Sequence, residues 1–358
     1  MDYYQKYLKY KKKYNNLKNQ QGGFIFNKKA SIVDLSGNSV KQPGNYFLHK
    51  SIHLQKLGKI GNYIGDKMTD FCKNYNDEQT AYADIKKFKD SYKIDTKTIE
   101  ICKDATYDEC IRKFKTSNNF FIRKRTNLPS TSTDSCIALV SPTDCYCIYI
   151  DDKSLKEKLW IKGSMFSLEN LIDNKTIKSN DYHVFIFRLA PHHYHRYHSP
   201  LNGKLLSITK LGTLKLSVDP ILVNSTRNVY TNNVRLVLKV QLNNDSESIA
   251  YIVVIGATCV ASIVLTHSGI IKAYNNIKKT DITEYKDNLE NSFDFSSENV
   301  VLTKNEELGN FQYGGSTLLV LYPKKNTTFT NIGNFIKNKS SESIETEIIV
   351  GNDILENY

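Results

Sequence analysis

The sequence has no C-x-x-C pair, no apolar leader and no HExxH pattern. Its seven cysteines (Cys72, Cys102, Cys110, Cys136, Cys145, Cys147 and Cys259) are odd in number, and their spacing suggests no disulfide framework. Cys145 and Cys147 stand too close together for a zinc or redox C-x-x-C motif. A reducing compartment is the expected setting. The N-terminus lacks the apolar core of a signal peptide, so N-x-S/T sites such as Asn174-Lys175-Thr176 carry little meaning. One charge-free run, Ile249–Leu265, is short for a membrane span, rich in β-branched residues and broken by Gly256-Ala257-Thr258. It predicts one or two buried strands. No internal repeat is present.

What is there fits a globular chain of one large domain or two ordinary ones, with 358 residues and 40% hydrophobic content. Lys and Arg number 49 against 37 Asp and Glu, a net charge of +12. That excess favours an anionic partner: nucleic acid, an anionic membrane surface or an acidic substrate. Near the start, Tyr3, Tyr7, Tyr10, Tyr14 and Leu17 form a helical stripe among Lys6, Lys9, Lys11, Lys12, Lys13 and Lys18, ended by Gly22-Gly23. Such a helix can lie on an anionic membrane, dock on a partner or remain a solvated leader.

The pattern predicts an α+β chain: a helical N-terminal region followed by a β-rich domain. A basic leader spans 1–23. Residues 24–48 read as irregular. Helical periodicity then runs through Leu54, Leu57, Ile60, Ile64, Met68 and Phe71, and again over 78–118, with Asp108 as an expected N-cap. The helical region is therefore 24–118. Over 119–335, short apolar runs alternate with turns: Ile137–Val140, Cys147–Ile150, Val184–Leu189, Gly203–Thr209, Val234–Val240, Tyr251–Ile255, Val260–Leu265 and Leu318–Tyr322. Residues 336–358 are polar and read as a loose tail.

Four segments carry chemistry. In Gln312-Tyr313-Gly314-Gly315-Ser316-Thr317 the glycines can present a strained peptide bond to the Ser316 hydroxyl, although a plain hairpin turn has the same pattern. Val140-Ser141-Pro142-Thr143-Asp144-Cys145 is a turn with a lone carboxylate. The stretch from Ile161 to Leu171 reads as a turn and a short helix. Ala190-Pro191-His192-His193-Tyr194-His195-Arg196-Tyr197-His198-Ser199-Pro200 packs four histidines behind a strand. That cluster reads as a metal site through His195 and His198, as an idle loop, or as a proton-transfer loop. No further ligand motif completes a metal site, and none is assigned. Asp144, His198 and Ser316 make an Asp-His-Ser set if the fold assembles them. A serine hydrolase elbow, G-x-S-x-G, fails at Leu318.

These segments, in this order, resemble the phosphatidylserine decarboxylase proenzymes, a pyruvoyl-dependent family. The likeness runs from about Thr106 to Pro323 and includes Phe120-Phe121-Ile122-Arg123, Ser141-Pro142-Thr143-Asp144, Ala190–Pro200, Ser217-Val218-Asp219-Pro220, Asn233-Val234-Arg235, Gly256-Ala257-Thr258 and Glu307–Thr317. Gly-Gly-Ser-Thr is similar to the cleavage site of the type II branch. The leader resembles the N-terminal extensions of giant-virus proteins.

The resemblance implies self-cleavage between Gly315 and Ser316, with Asp144, His198 and Ser316 as the triad. Ser316 would attack the Gly315 carbonyl, β-elimination would follow, and loss of ammonia would leave a covalent pyruvoyl group at 316, an electron sink for decarboxylation. His195 would be the proton donor in that second reaction. The implied products are a large and a small subunit that stay together, with assembly as a homodimer. The implied substrate is phosphatidylserine, met at the cytoplasmic face of a membrane by a peripheral enzyme, in a host cell or virion. A nucleic-acid partner is not implied. Two alternatives stand beside it: a decarboxylase of free aromatic amino acids on the same fold, and a non-enzymatic basic protein that binds anionic surfaces. The chain departs from the family at Cys145 and Ala261, where glycine is usual, and at His193, where Asp is usual.

Overall fold

A computed structural model describes residues 31–39, 78–150, 167–218, 228–243, 245, 247–257, 263–286, 292–312 and 316–358. The basic leader, the stripe from Leu54 to Phe71, residues 161–166, Ala261 and the Gly314-Gly315 pair lie outside the described residues.

Strand β1 (Ser31–Val33) precedes a helical group, α1 (Glu78–Tyr92), α2 (Tyr107–Arg112) and α3 (Ser117–Phe121). Strands β2 (Ile137–Val140) and β3 (Cys145–Ile150) lead to α4 (Leu168–Ile172), then to β4 (Tyr182–Leu189), β5 (Arg196–His198) and β6 (Gly203–Leu211). Next come α5 (Val229–Asn232), β7 (Arg235–Leu242), β8 (Ile249–Gly256), β9 (Ile263–Leu265) and α6 (Ser268–Lys278). Strands β10 (Tyr285–Lys286), β11 (Ser292–Asp294), β12 (Val301–Leu302), β13 (Glu307–Phe311), β14 (Ser316–Pro323) and β15 (Thr327–Phe329) follow. The chain closes with α7 (Asn331–Ser341), β16 (Ile344–Ile348) and β17 (Asp353–Asn357).

The main sheet has ten strands in the order β1-β16-β3-β4-β14-β8-β7-β6-β11, with β12 also on β6. Smaller sheets have the orders β10-β9-β13-β5 and β15-β17-β2. Side chains alternate across a strand, so a strand covered on both faces reads as an unbroken apolar run. Strand β14 is that case, and all eight of its residues are buried. Leu318 and Val320 join Phe185, Phe187, Leu236 and Leu238 on one face. Leu319 and Leu321 join Ile186, Val253 and Ile255 on the other. Each of the eight apolar runs read as strands overlaps one. Ile249–Leu265 contributes β8 and β9, and no described helix is long and apolar enough to cross a membrane.

Three expectations need correction. Residues 336–358 are no loose tail: they form most of α7 and all of β16 and β17, and bury Ile336, Ile348, Ile354 and Leu355 in the main core. Cys102 and Cys110 are joined in a disulfide, within a satellite core formed with Ala81, Ile85, Ile111 and Phe120. The intervening turn and α2 bring their Cα atoms to 4.9 Å, which the spacing alone did not reveal. Thr106, not Asp108, caps α2, in a capping box with Glu109. Asp108 instead accepts the Tyr82 hydroxyl at 2.7 Å.

A buried ion pair ties the C-terminal segment to the sheet. Arg188 on β4 donates from Nε to Glu345 on β16 at 2.9 Å, and its second nitrogen completes a bidentate contact. Both residues are buried. Glu345→Ala leaves a guanidinium without its counter-charge and is expected to destabilise the fold by about 3–5 kcal/mol. Denaturant unfolding checks this, and a change under 1 kcal/mol, roughly that of a surface pair, would contradict it.

Candidate active site

Ser316 is the first residue of β14, opposite Leu189, the last residue of β4, and Gly256, the last of β8. The chain leaving β4 turns through Ala190 and the four histidines and returns as β5. The ends of three central strands thus meet the histidine loop over one buried serine.

Ser316 and His195 are both wholly buried, and Ser316 Oγ lies 3.5 Å from His195 Nδ1. His195 Nε2 lies 3.0 Å from the Ala190 carbonyl. A carbonyl only accepts, so Nε2 carries the proton and Nδ1 turns its lone pair to the serine. The Phe121 ring lies 3.8 Å from the imidazole. Burial pushes His195 well below its ordinary value, against the opposing Ala190 hydrogen bond. The site therefore holds a neutral imidazole aimed at a buried hydroxyl.

His198 lies near but faces elsewhere. Its Nδ1 donates to the Asn305 carbonyl at 2.8 Å, and its Nε2 meets the Tyr194 hydroxyl at 3.3 Å. Asn305 takes a positive φ of 66°, which asparagine tolerates better than most residues. Asp144 accepts the Val350 N–H at 3.0 Å and pairs with Arg125. Among the described residues no hydrogen bond joins Asp144 to His198, or His198 to Ser316. The turn carrying Asp144 is nevertheless fastened to the loop. Pro142 accepts the His198 N–H at 2.8 Å, and the Thr143 hydroxyl donates to the Tyr194 and Arg196 carbonyls at 2.7 and 3.0 Å. Arg125 explains the orientation: a fixed cation competes better for a carboxylate than an imidazole that burial keeps neutral. Cys145 lies in strand β3 and is not at positive φ, so the missing glycine imposes no left-handed strain.

The other histidines meet a carboxylate from β16. His193 Nδ1 accepts the Ala190 N–H at 2.9 Å, and Nε2 faces Glu347 at 3.3 Å. His192 Nε2 lies 3.9 Å from the same oxygen. The three ligand-type atoms lie within 4.8 Å of one another. The Ala190 N–H occupies the lone pair of His193, so its other nitrogen carries a proton toward Glu347, which suits a hydrogen bond and not a metal. Arg123, buried, donates to the His192 and His193 carbonyls at 2.9 and 3.3 Å. Arg125, Glu347 and Asn305 carried no local sequence signal. Phe121 and Arg123 stood only in the Phe-Phe-Ile-Arg segment.

Acid should weaken this region. Burial lowers His193 to about 4 and holds His195 and His198 below their ordinary value. The unfolded chain then binds more protons, so stability falls as pH drops below about 6.5. Glu347, lowered to about 2 by His192 and then His193, adds a loss between its usual value and that one. Urea midpoints at pH 7.5 and 5.5 check the histidine part, and an unchanged midpoint would contradict it.

The chain belongs to the phosphatidylserine decarboxylase family, whose profile matches residues 117–351. It is similar to phosphatidylserine decarboxylase proenzyme 2 of Saccharomyces cerevisiae, 32% identical over 249 residues, covering 68% of this chain and 19% of that protein. Proenzyme 2 of Komagataella phaffii is 30% identical over 257 residues, covering 69% and 22%. The proenzyme of Clostridium botulinum is 29% identical over 284 residues, covering 78% and 81%. The chain thus spans only about a fifth of the fungal relatives' length.

Proposed function

We propose that this chain is a self-processing, pyruvoyl-dependent decarboxylase that converts phosphatidylserine to phosphatidylethanolamine and CO2. The observation that carries the reading is the buried Ser316 hydroxyl at the head of a central strand, with a neutral imidazole turned toward it. The relatives' names and the order of the motifs support the substrate.

In self-cleavage, Ser316 Oγ attacks the Gly315 carbonyl and the Gly315–Ser316 amide becomes an ester. β-Elimination breaks the Cβ–Oγ bond and releases a chain ending in the Gly315 carboxylate. Water then replaces the nitrogen of the dehydroalanine at 316, which leaves as ammonia. His198, with Asp144 acting on it through space, is the proposed proton acceptor. The segment beginning at 316 stays in place, because β14 pairs with β4 and β8, β16 with β3, and β17 with β2.

Residue 316 fits the pyruvoyl group: it is buried, backbone-paired on both sides and faced by a proton-transfer group. The group supplies an electron sink for the leaving carboxylate. His195 Nδ1 would take up a proton that comes ultimately from water and give it to the substrate carbon that CO2 leaves. Phe121 keeps water from its ring face. The net charge of +12 supports association with an anionic membrane surface.

Release of CO2 from vesicles containing phosphatidylserine, compared with release from free phenylalanine, tyrosine and tryptophan, tests the substrate. Release from vesicles alone is expected. Release from the free amino acids alone would overturn the lipid reading and retain the chemistry.

A further inference from the structure

We infer that Glu347 and His193 form the outer end of a hydrogen-bond relay that sets which nitrogen of His195 faces residue 316. The inference rests on the proposed role of Ser316. From the outside inward, the Glu347 carboxylate accepts from His193 Nε2 at 3.3 Å. His193 Nδ1 accepts the Ala190 N–H at 2.9 Å. The Ala190 carbonyl accepts from His195 Nε2 at 3.0 Å, and His195 Nδ1 faces Ser316 Oγ at 3.5 Å.

Ala190 sets the direction of every link, since an amide N–H only donates and a carbonyl only accepts. On the inner side its carbonyl holds the His195 proton on Nε2 and leaves Nδ1 bare. On the outer side its N–H fills the lone pair of His193 Nδ1. The neutral His193 ring must then carry its proton on Nε2, where it needs an acceptor, and Glu347 provides one. The two Ala190 groups lie in adjacent peptide units, so the coupling between the rings is positional, and the Ala190 carbonyl also accepts the His193 backbone N–H at 3.0 Å. Arg123 secures the corner by donating to the carbonyls of His192 and His193. Ala190, His193, His195 and Ser316 are buried, while the Glu347 side chain is 29% exposed, so the relay runs from a partly wet end to a dry one. Glu347 is a positioning residue: it acts on residue 316 only through His193 and His195. It lies downstream of Ser316, in the segment that supplies the reacting residue itself.

Without Glu347, His193 Nε2–H loses its acceptor. The ring then has reason to turn, and the Ala190 N–H loses its fixed acceptor. Glu347→Ala is therefore expected to cut as the parent does and keep its KM, with kcat for CO2 release down about tenfold or more. Glu347→Gln keeps an acceptor oxygen and should retain most activity. His193→Asp added to Glu347→Ala places a carboxylate within reach of the Ala190 N–H and should restore most of the loss. A purely structural role for Glu347 predicts no such rescue.

The readout that does not depend on activity is the imidazole ¹⁵N spectrum of the uncut Ser316→Ala chain. His195 should show a proton on Nε2, and Glu347→Ala in that background should give a mixture of tautomers. An unchanged His195 spectrum, or no rescue by His193→Asp, overturns the relay. If the parent chain releases no CO2 at all, the proposed function fails, and the spectra still decide the relay.

Discussion

Ser316→Ala is expected to leave one uncut chain with no measurable CO2 release. The proposed self-cleavage needs an oxygen nucleophile attached to the residue that becomes the electron sink, and alanine supplies neither part. Water at the same peptide bond would give an ordinary N-terminal alanine and no keto group, so no bypass restores activity. The variant should fold. The side chain loses one buried oxygen whose contact with His195 is long, at 3.5 Å, and the cost is about 1 kcal/mol. A gel showing one band, with a denaturation midpoint near that of the parent, is the expected pair of results. A cut Ser316→Ala chain would sink the assignment of the cleavage site.

His195→Ala carries the second large effect. On the proposed division of labour the chain still cuts, because His198 takes the serine proton, while CO2 release falls by about 10²–10⁴-fold, the usual contribution of a positioned acid or base. The same substitution removes the ring packed against Phe121 at 3.8 Å, so some loss of stability accompanies it. His195→Gln keeps more of the volume and separates the two effects. The geometry gives this test its edge: it is His195, not His198, that faces Ser316 in the intact chain. If His195→Ala and His195→Gln both stay uncut and folded, one imidazole serves both reactions and the division is wrong.

Much of this site was legible in the residues because it rests on local pattern. Strand β14 announced itself as Leu318–Tyr322, an apolar run, since both of its faces are covered. The histidine loop and the Ser-Pro-Thr-Asp turn stood out by composition. The partners of these residues did not, because sheet topology brings them in from afar. Arg125 reaches Asp144 from the stretch behind α3, and Glu347 reaches His193 from a strand 154 residues later. Neither sits in a motif. The C-terminal strands were hidden by polar composition: β16 alternates Ile344, Thr346 and Ile348 with Glu345 and Glu347, and both glutamates find buried partners. Charge there marks an ion pair with the sheet and a hydrogen bond to the histidine loop, which no single stretch of sequence can show. The Cys102–Cys110 pairing was hidden in the same way, by a turn whose shape brings the two residues together.

The most direct test of the central claim is an intact-mass spectrum of the purified, denatured protein. Two species are predicted, one ending at Gly315 and one beginning at residue 316 with a keto group in place of the serine amine and hydroxyl. A single mass matching all 358 residues would contradict it, and a cut to unmodified serine would contradict the pyruvoyl group while keeping the cleavage site.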